Sequence, residues 1–446
     1  MIFRVRRYIL FLFLVFLLAA CTTTGFSKSM DGGTATASSQ PSAVPGFADQ
    51  AITTCPAELA NYQGCHTPYT LRQAYDVESL TKQGFTGKGQ TVVVIVSFGS
   101  PTLQKDLDAF SRQFGLPQSR VQILSPLGTV PFNTQDSDMV GWATETTLDV
   151  QLIHAMAPEA NIVVMTSPVS ETQGVQGLPE FKQLEEYAVN HHLGQIFSQS
   201  WAASEATLAD QAGQQLIKSY ADFYKQATLQ DHWTIFVGTG DQGATDFADL
   251  NSTKLVNARN VTFPADVPWV TAVGGTTLAS SQGATIEHAW SGSGGGFSKF
   301  FAQPDYQKAL PSSVQAQSGG QRGLPDVSAN ADPSTGMSFY YNGNWSLTGG
   351  TSASTPVWAG LMAIANQLAG HPLGFINPTL YSLAQGAGEQ QNFHDVTIGY
   401  NNNQSTKGGE TVNVKGFQAV PGWDAVTGLG TPKGSSLLHN LAATTK

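Results

Sequence analysis

The run Thr91-Val-Val-Val-Ile-Val96 is an unbroken apolar stretch of mostly β-branched residues, and it indicates the fold class. A strand with one face in water alternates apolar and polar residues, whereas a strand covered on both faces is apolar throughout. The same pattern returns at residues 161–165, 233–237 and 270–273. We therefore expect four strands of one sheet that is buried on both faces.

Helical patterns separate these runs, at residues 142–155, 179–191, 206–227 and 355–368. Strands that alternate with helices predict an α/β fold with a mostly parallel central sheet, covered by helices on both faces. Functional sites of such sheets collect at the carboxyl ends of the strands. Two glycine-rich segments, residues 238–243 and 292–296, follow strand-like runs and could contribute to a site there. The polar, Asn-rich residues 390–410 are expected to form an exposed loop.

The composition excludes some classes of protein. Hydrophobic residues make up 41% of the chain, so it can bury a large core. Charged residues are only 12% and the net charge is −10, which argues against a surface for nucleic acid or anionic lipid. A low content of cations also suits acidic surroundings, where carboxylates become neutral.

The start of the chain has the pattern of an export signal. Basic residues precede an apolar run at residues 9–20, which is too short to span a bilayer but suits a signal peptide. The run ends Leu18-Ala-Ala-Cys21, which resembles the lipobox of bacterial lipoproteins and implies a lipid on Cys21; the alternative is an ordinary secretory signal with a chance cysteine. Residues 22–48 are rich in Ser, Thr, Gly and Ala and predict a flexible tether.

The remaining cysteines, Cys55 and Cys65, can pair in an exported protein, with two free thiols as the alternative. The sequence has no CxxC or Cys/His cluster, so a structural zinc site is not expected.

Three short stretches contain the candidate functional residues. In Gly349-Gly-Thr-Ser352-Ala-Ser-Thr-Pro356, small residues surround a serine, and the proline is placed where a first helical turn would begin. This predicts a serine at a helix N-terminus, where the dipole favours a developing anion. An ordinary helix cap is the alternative interpretation.

Glu145-Thr-Thr-Leu-Asp149 puts two carboxylates on one helix face, with no Lys or Arg nearby. Carboxylates held together tend to share a proton. A solvated acidic face is the alternative interpretation of this pair. The third stretch, Phe236-Val-Gly-Thr-Gly-Asp241, is a strand-like run that leads into an aspartate flanked by glycine, and a simple turn aspartate is its alternative interpretation. His154, in the same apolar helical stretch as Asp149, is interpreted as a core residue.

Together with Gly-Gly-Gly-Phe-Ser298 and the string at residues 322–332, these stretches resemble the sedolisins, or serine-carboxyl peptidases. The resemblance begins near Thr67 and covers most of the chain. It implies a subtilisin-like fold and peptide hydrolysis in acid. Ser352 would be the nucleophile, Glu145 its base, Asp149 the partner of Glu145, and a protonated Asp241 would line the oxyanion hole. The His-Gly-Thr and Asp-Ser/Thr-Gly strings of histidine-based subtilisins are absent from the sequence.

The same resemblance implies one structural Ca²⁺ ion near the C-terminus. Its ligands would be the side chains of Asp395 and Asp424 and the carbonyls of Val396, Val420 and Gly422. Oxygen donors of this kind suit Ca²⁺. Val420 stands where the family has glycine, but only its carbonyl is required.

The predicted organisation is a signal peptide (1–20), a lipidated N-terminus with its tether (21–66), and a peptidase domain with the calcium site (67–446). Peptides or unfolded proteins are the expected substrates of a monomer anchored in the cell envelope through Cys21, facing away from the cytoplasm. No nucleic-acid partner is expected. Endopeptidase and tripeptidyl peptidase modes both remain open.

The chain departs from the family in two respects. Few residues separate Cys21 from the peptidase region, so the large prosegment of the family is not expected. Some members carry a further glutamate after the first strand, where this chain has Ser97. Trp201 resembles a residue that lines the site, although a core tryptophan is the alternative. A catalytically silent, peptide-binding surface lipoprotein with the same fold is the competing function.

Overall fold

The structure, a computed structural model, describes residues 51–62, 64–281 and 284–444. The export signal, the lipid on Cys21 and most of the tether were expected within residues 1–50, which lie outside the described residues. None of the helices in the described part of the chain combines the length and the apolar character that crossing a membrane requires.

The described strands are β1 (Thr91–Ser97), β2 (Gln122–Leu124), β3 (Asn161–Ser167), β4 (Ile196–Gln199), β5 (Ala203–Ser204), β6 (Thr234–Gly238), β7 (Thr262–Phe263), β8 (Thr271–Ser281), β9 (Ala284–Ala289), β10 (Gly296–Ala302), β11 (Gln321–Leu324), β12 (Val327–Asn330), β13 (Met337–Tyr341), β14 (Asn344–Thr348), β15 (Phe393–His394), β16 (Asn403–Lys407), β17 (Glu410–Val414) and β18 (Thr431–Pro432). The described helices are α1 (Pro68–Ala74), α2 (Glu78–Lys82), α3 (Leu103–Phe114), α4 (Ser137–Met156), α5 (Leu178–Asn190), α6 (Gln211–Leu229), α7 (Ser312–Ser318), α8 (Thr351–Ala369), α9 (Asn377–Leu383), α10 (Ala387–Asn392) and α11 (Gly434–Thr444).

The central sheet has the strand order β2-β3-β1-β4-β6-β8-β12, and each neighbouring pair in this order is parallel. Strand β9 adds one antiparallel pairing to β8. In the middle of the sheet, Val94 of β1 is paired with Val164 of β3 and Ser198 of β4. The mostly parallel sheet predicted from the apolar runs is therefore confirmed.

Strand β1 sends its side chains alternately into two cores, which explains its unbroken apolar run. Val92 and Val94 pack in a core with Leu148 of α4 and Trp358 of α8. Val93 and its alternate neighbour Ile95 pack on the opposite face in a core that includes residues of α5 and α6. The side chains of Val92 to Ser97 are all buried and only that of Thr91 is half-buried, so a polar residue in place of any of the valines or Ile95 would lose its hydration.

The predicted segments agree with the observed elements to within a few residues. The largest difference is in β8, which continues to Ser281. Next come three helix starts: α4 begins at Ser137 rather than at residue 142, α6 at Gln211 rather than at 206, and α8 at Thr351 rather than at 355. The exposed loop expected at residues 390–410 was wrong in part. Phe393–His394 forms β15, and Asn403–Lys407 pairs with Glu410–Val414 as a hairpin. This hairpin carries few of the apolar residues by which strands were recognised.

Cys55 and Cys65 form a disulfide bond, which ties the segment preceding α1 into a small loop. Thr67 then caps α1: its hydroxyl accepts from the backbone N–H of Thr70, and Pro68 occupies the first helical turn. This part of the chain is fixed to the domain by His66, whose Nε2 lies 2.9 Å from the carbonyl oxygen of Leu278.

Candidate active site

Ser352 lies in the first turn of α8, at the amino end of the helix that crosses the central sheet. The residue before the helix, Gly350, has φ +86°, a conformation that glycine adopts readily. A Cβ atom at this position would lie 2.6 Å from Oδ2 of Asp241. Gly350 therefore allows the helix start and the Asp241 carboxyl to approach closely.

The sequence predicted Pro356 in the first turn of a helix. Because α8 already begins at Thr351, Pro356 lies inside the helix instead. Proline has no N–H, so the carbonyl of Ser352 loses the helical hydrogen bond that residue 356 would otherwise donate. The hydroxyl of Ser200, just beyond β4, lies 3.2 Å from this carbonyl oxygen. The main chain of Ser352 is thus in contact with the end of a sheet strand.

Helix α4 brings Glu145 and Asp149 to Ser352 because it packs directly against α8. A Cβ at Gly360 of α8 would lie 2.7 Å from the Cβ of Met156, so the missing side chain permits a close crossing of the two helices. Both carboxyl groups are buried: Glu145 is 7% exposed and Asp149 is 0% exposed.

The environment of this carboxyl pair favours its protonated forms. Burial and the nearby charge of Asp149 raise the pKa of Glu145 well above its usual value, while a hydrogen bond with Ser352 lowers it. Burial raises the pKa of Asp149, and the hydroxyl of Ser200, 2.7 Å from Asp149 Oδ1, lowers it. Oε1 of Glu145 and Oδ2 of Asp149 have no hydrogen-bond partner among the described residues. Such a pair can hold one proton between its two members.

Asp241 follows β6 and is bound to the residue that precedes the serine. Its Oδ1 accepts from the backbone N–H of Thr351 at 2.8 Å and from the Thr351 hydroxyl at 3.0 Å. Burial raises the pKa of Asp241, and the two bonds from Thr351 lower it. The glycine-rich segment at residues 292–296 is also in this region, since Gly294 donates its N–H to the carbonyl of Gly240.

The structure therefore brings together all four residues selected from the sequence, Ser352, Glu145, Asp149 and Asp241, from helices α8 and α4 and the end of β6. Their arrangement supplies a hydroxyl, an adjacent carboxyl pair that can accept its proton, and a third carboxyl. His154, in contrast, is fully buried, and its Nε2 lies 3.1 Å from the hydroxyl of Ser111. This histidine is a core residue, as the sequence predicted.

Two neighbours were missed by sequence reasoning: Ser200, which contacts both Asp149 and Ser352, and Thr351, which binds Asp241. Their positions at a strand end and a helix start were the available signals. Trp201, the other residue of interest at this strand end, is 5% exposed and packs edge-on against Phe181 and Tyr220, in the core. Ser97 donates its hydroxyl to the carbonyl of Val169.

The residues of the expected calcium site also lie together. Gly422 donates its N–H to Oδ2 of Asp395 at 3.0 Å, and Val420 donates to Oδ2 of Asp424 at 3.1 Å. Among the hydrogen bonds between described residues, none uses the carbonyl oxygen of Val396, Val420 or Gly422. Two carboxylates with three free carbonyls are oxygen donors of the kind that Ca²⁺ prefers, so these residues fit the ion.

Comparison with known proteins shows the family to which the chain belongs. The model of the subtilase family matches residues 128–379, which include all four residues of the candidate site, and the chain belongs to this family. Its relatives include kumamolisin from Bacillus sp. (strain MN-32), 32% identical over 387 residues that cover 84% of this chain and 63% of kumamolisin. Tripeptidyl-peptidase sed4 from Aspergillus fumigatus is 31% identical over 73% of this chain and 58% of its own length.

Comparison with solved structures shows which group of subtilases the chain resembles. A Pseudomonas sedolisin, a serine-carboxyl proteinase solved in complex with pseudo-iodotyrostatin, superposes with a TM-score of 0.71 at 26% identity, covering 87% of this chain and 100% of that one. Within the subtilases, the protein is therefore a sedolisin, a member of the serine-carboxyl peptidases. The chain spans about three-fifths of the length of kumamolisin and of the Aspergillus enzyme.

Proposed function

We propose that this protein hydrolyses peptide bonds in acid through an acyl-enzyme on Ser352, with Glu145 and Asp149 as the base pair and a protonated Asp241 in the oxyanion hole. The observation that carries the proposal is a buried carboxyl, Glu145, that lies close enough to the Ser352 hydroxyl and to Asp149 for both to act on its pKa. A hydroxyl needs a base to become a nucleophile, and the carboxyl pair supplies one at this position.

In the proposed reaction, the Ser352 oxygen attacks the carbonyl carbon of the substrate while its proton passes to Glu145. The carbonyl oxygen becomes an oxyanion and accepts a hydrogen bond from the Asp241 carboxyl. When the tetrahedral intermediate collapses, Glu145 returns the proton to the leaving amine, and the acyl group stays on Ser352. A water molecule then releases the acyl group by the same steps in reverse, with Glu145 again taking and returning a proton.

The proposed chemistry requires acid because it needs two protonation states at once. Glu145 must be able to accept a proton, so the pair must have lost one of its two protons. Asp241 must keep its proton, since an ionised carboxylate would repel the oxyanion. Burial raises the pKa of Asp241, which extends this state to a higher pH than a free aspartate would allow. Activity should therefore peak in acid and fall as Asp241 ionises.

We further propose that Ca²⁺ binds to Asp395 and Asp424 and to the carbonyls of Val396, Val420 and Gly422, and that it has a structural role. When bound, the ion would join the segment after β15 to the loop before α11 and balance the charge of the two aspartates.

The proposed setting is the outer side of a cell membrane, with export and a lipid on Cys21. It is supported by the apolar run and the Leu18-Ala-Ala-Cys21 string alone. The proposed substrates are peptides or unfolded proteins, cleaved by a monomer. Tripeptidyl-peptidase and proteinase are the names of its relatives, and either mode is compatible with the site.

The test is a pH–rate profile, from about pH 3 to about pH 8, for the purified full-length chain on a reduced and alkylated protein. Ser352→Ala and Glu145→Gln should each abolish an acid optimum. Two controls should leave it unchanged: Ser354→Ala, whose hydroxyl only bonds back to the carbonyl of Thr351, and Glu186→Gln, in an ion pair with Lys182 on α5.

An optimum above neutrality, or an activity that survives Ser352→Ala, would refute the proposed mechanism. If the folded, calcium-loaded protein cleaves nothing across the pH range but binds the unfolded substrate, the competing function of a silent peptide-binding lipoprotein replaces it.

A further inference from the structure

The Ser200 hydroxyl faces two acceptors with a single hydrogen. Its oxygen lies 2.7 Å from Oδ1 of Asp149 and 3.2 Å from the carbonyl oxygen of Ser352. A hydroxyl has one O–H to donate and two lone pairs with which to accept. The two contacts are therefore alternatives as donor bonds. If Ser200 donates to the Ser352 carbonyl, its contact with Asp149 can be a hydrogen bond only when a protonated Asp149 donates to the Ser200 oxygen.

The second acceptor exists because of Pro356. A carbonyl at the start of an α-helix normally accepts the N–H four residues later, and residue 356 is the one that would bond to Ser352. Proline cannot donate. The carbonyl of the nucleophile is thus left for Ser200, which is only 9% exposed and well sheltered from competing water.

We propose that Ser200 is a positioning residue whose one hydroxyl hydrogen turns between Asp149 and the main-chain carbonyl of Ser352, so that the protonation of the carboxyl pair is coupled to the anchoring of the nucleophile. This inference rests on the proposed function and adds to it a residue outside the four catalytic ones.

The coupling follows from where the protons lie in the ionised and the protonated forms of Asp149. When Asp149 is ionised, its Oδ1 can only accept, and the Ser200 hydrogen points to it. When Asp149 holds the proton of the pair on Oδ1, that O–H donates to the Ser200 oxygen, and the Ser200 hydrogen turns to the carbonyl of Ser352. In this step the O–H bond on Glu145 is broken and one on Asp149 is formed, while the Ser200 hydrogen stays on its own oxygen and only exchanges one acceptor for the other. The nucleophile is therefore fixed most firmly when Glu145 is free to accept its proton.

The groups around the pair are consistent with this arrangement. The titratable group that faces the pair from another element is Asp241, beyond β6; after burial and Asp149, it adds to the rise in the pKa of Glu145 whenever it is ionised. Strand β4 and helix α8 contribute the uncharged hydroxyls of Ser200 and Ser352, and β1 ends in Ser97, whose hydroxyl is bound to the loop after β3. The Ser200 hydroxyl stabilises ionised Asp149 and so lowers the pKa of that carboxyl.

The test measures the titration of the carboxyl pair by infrared spectroscopy of the full-length protein, with Glu145→Gln and Asp149→Asn assigning the bands. Ser200→Ala removes the hydrogen that stabilises ionised Asp149, so the apparent pKa of the pair should rise by about one unit. The acid limb of the pH–rate profile should move by the same amount. Ser200→Thr keeps a hydroxyl and should restore the wild-type titration.

Pro356→Ala should produce the opposite shift. It supplies an N–H that can bond to the Ser352 carbonyl, which leaves Ser200 free to donate to Asp149 alone, and the pKa of the pair should fall. In the Ser200→Ala background the same substitution should have no effect on the titration. A merely structural role for either residue would not produce opposite shifts.

The control is Ser198→Ala, on strand β4 just before Ser200, where a fully buried hydroxyl has no hydrogen-bond partner among the described residues. It should leave the titration unchanged. The inference is overturned if Ser200→Ala leaves the titration unmoved, if Ser198→Ala moves it equally, or if Pro356→Ala shifts it in the same direction. If the Ser200→Ala variant does not fold, the titration of the Pro356→Ala variant alone tests the inference: a fall in the pKa of the pair supports it, and no fall overturns it. Absence of serine-dependent cleavage in the wild type would refute the proposed function, whereas the infrared titration would still decide the role of Ser200.

Discussion

Asp246→Asn should make the protein more tolerant of neutral pH. Asp246 is 5% exposed and follows Asp241 by one short turn, and its Oδ1 accepts the backbone N–H of Phe247 at 2.7 Å. Burial is the largest influence on its pKa, which rises from 3.8 to about 7; the bond from Phe247 lowers it and the charge of Asp241 raises it. An asparagine has the same shape, keeps an acceptor for Phe247 and never ionises.

The sign follows from the two states of the carboxyl. Below its unfolded pKa, Asp246 is protonated in both states, and its contribution to stability is fully present. As the pH rises from there to about 7, the unfolded chain ionises while the folded protein does not, so this contribution is progressively lost. One unit of pKa shift corresponds to about 1.4 kcal/mol, so the loss is about 4 kcal/mol in all. The asparagine variant should not suffer this loss.

The assay is urea unfolding at about pH 4 and about pH 8, in the Ser352→Ala background to prevent self-digestion. Between these pH values, the stability of the Asp246→Asn variant relative to the parent should increase by about 4 kcal/mol. Asp249→Asn is the control with the opposite sign. Although burial acts to raise its pKa, hydrogen bonds from Thr253 and its neighbours hold it below the usual value. That carboxylate stabilises the fold at neutral pH and stops doing so in acid. A pH-independent difference for Asp246→Asn would refute the reasoning.

Three further changes test other parts of the structure. Gly350→Ala should lower kcat about a hundredfold or more, because the new Cβ would press on Asp241; Gly343→Ala, also at positive φ but with open space around it, should leave kcat unchanged. Replacing Cys55 and Cys65 by serine should cost about 3 kcal/mol in urea unfolding, from the loop that the disulfide closes, and an unchanged midpoint would contradict this. A calcium chelator should lower Tm at neutral pH, and Asp395→Asn should remove that response; equal melting with and without chelator would refute the proposed site.

The central sheet could be predicted from sequence because its signal is local. The inner parallel strands are buried on both faces, so Val92 to Val96 of β1 must all be apolar, and the pattern needs no knowledge of the partner strands. The parallel edge strand β2 is largely exposed and lacks this pattern. The hairpin of β16 and β17 could not be predicted in the same way. The residues of β16 alternate between half-buried and exposed positions, and only Val412 and Val414 of β17 are buried. The pairing of Asn403 with Val414 and of Lys407 with Glu410 depends on the rest of the fold.

The candidate site shows the same division between local and tertiary information. The spacing of Glu145 and Asp149 predicted that both lie on one helix face, and the sequence around Ser352 predicted a helix start. The exact start was misplaced because proline is favoured in a first turn, whereas here the helix begins at Thr351, directly after Gly350, and Pro356 lies inside it. The contacts of Ser200 join three separate elements, and no sequence spacing encodes them.

The stability and the proposed activity of this protein depend on pH for one common reason. The chain has 22 basic residues against 32 acidic ones, and several carboxyl groups in its described part are buried without forming an ion pair. Burial raises the pKa of Glu171, Glu185 and Asp266 well above their usual values, as it does for Glu145 and Asp149. Each of these groups favours the folded state in acid and loses that effect as the pH rises through its folded pKa. The same desolvation that would keep Asp241 protonated for catalysis thus makes the folded state more stable in acid than at neutral pH. A substitution that neutralises one buried carboxyl outside the site, such as Glu185→Gln, should therefore extend the range of stability toward neutral pH without extending the range of activity.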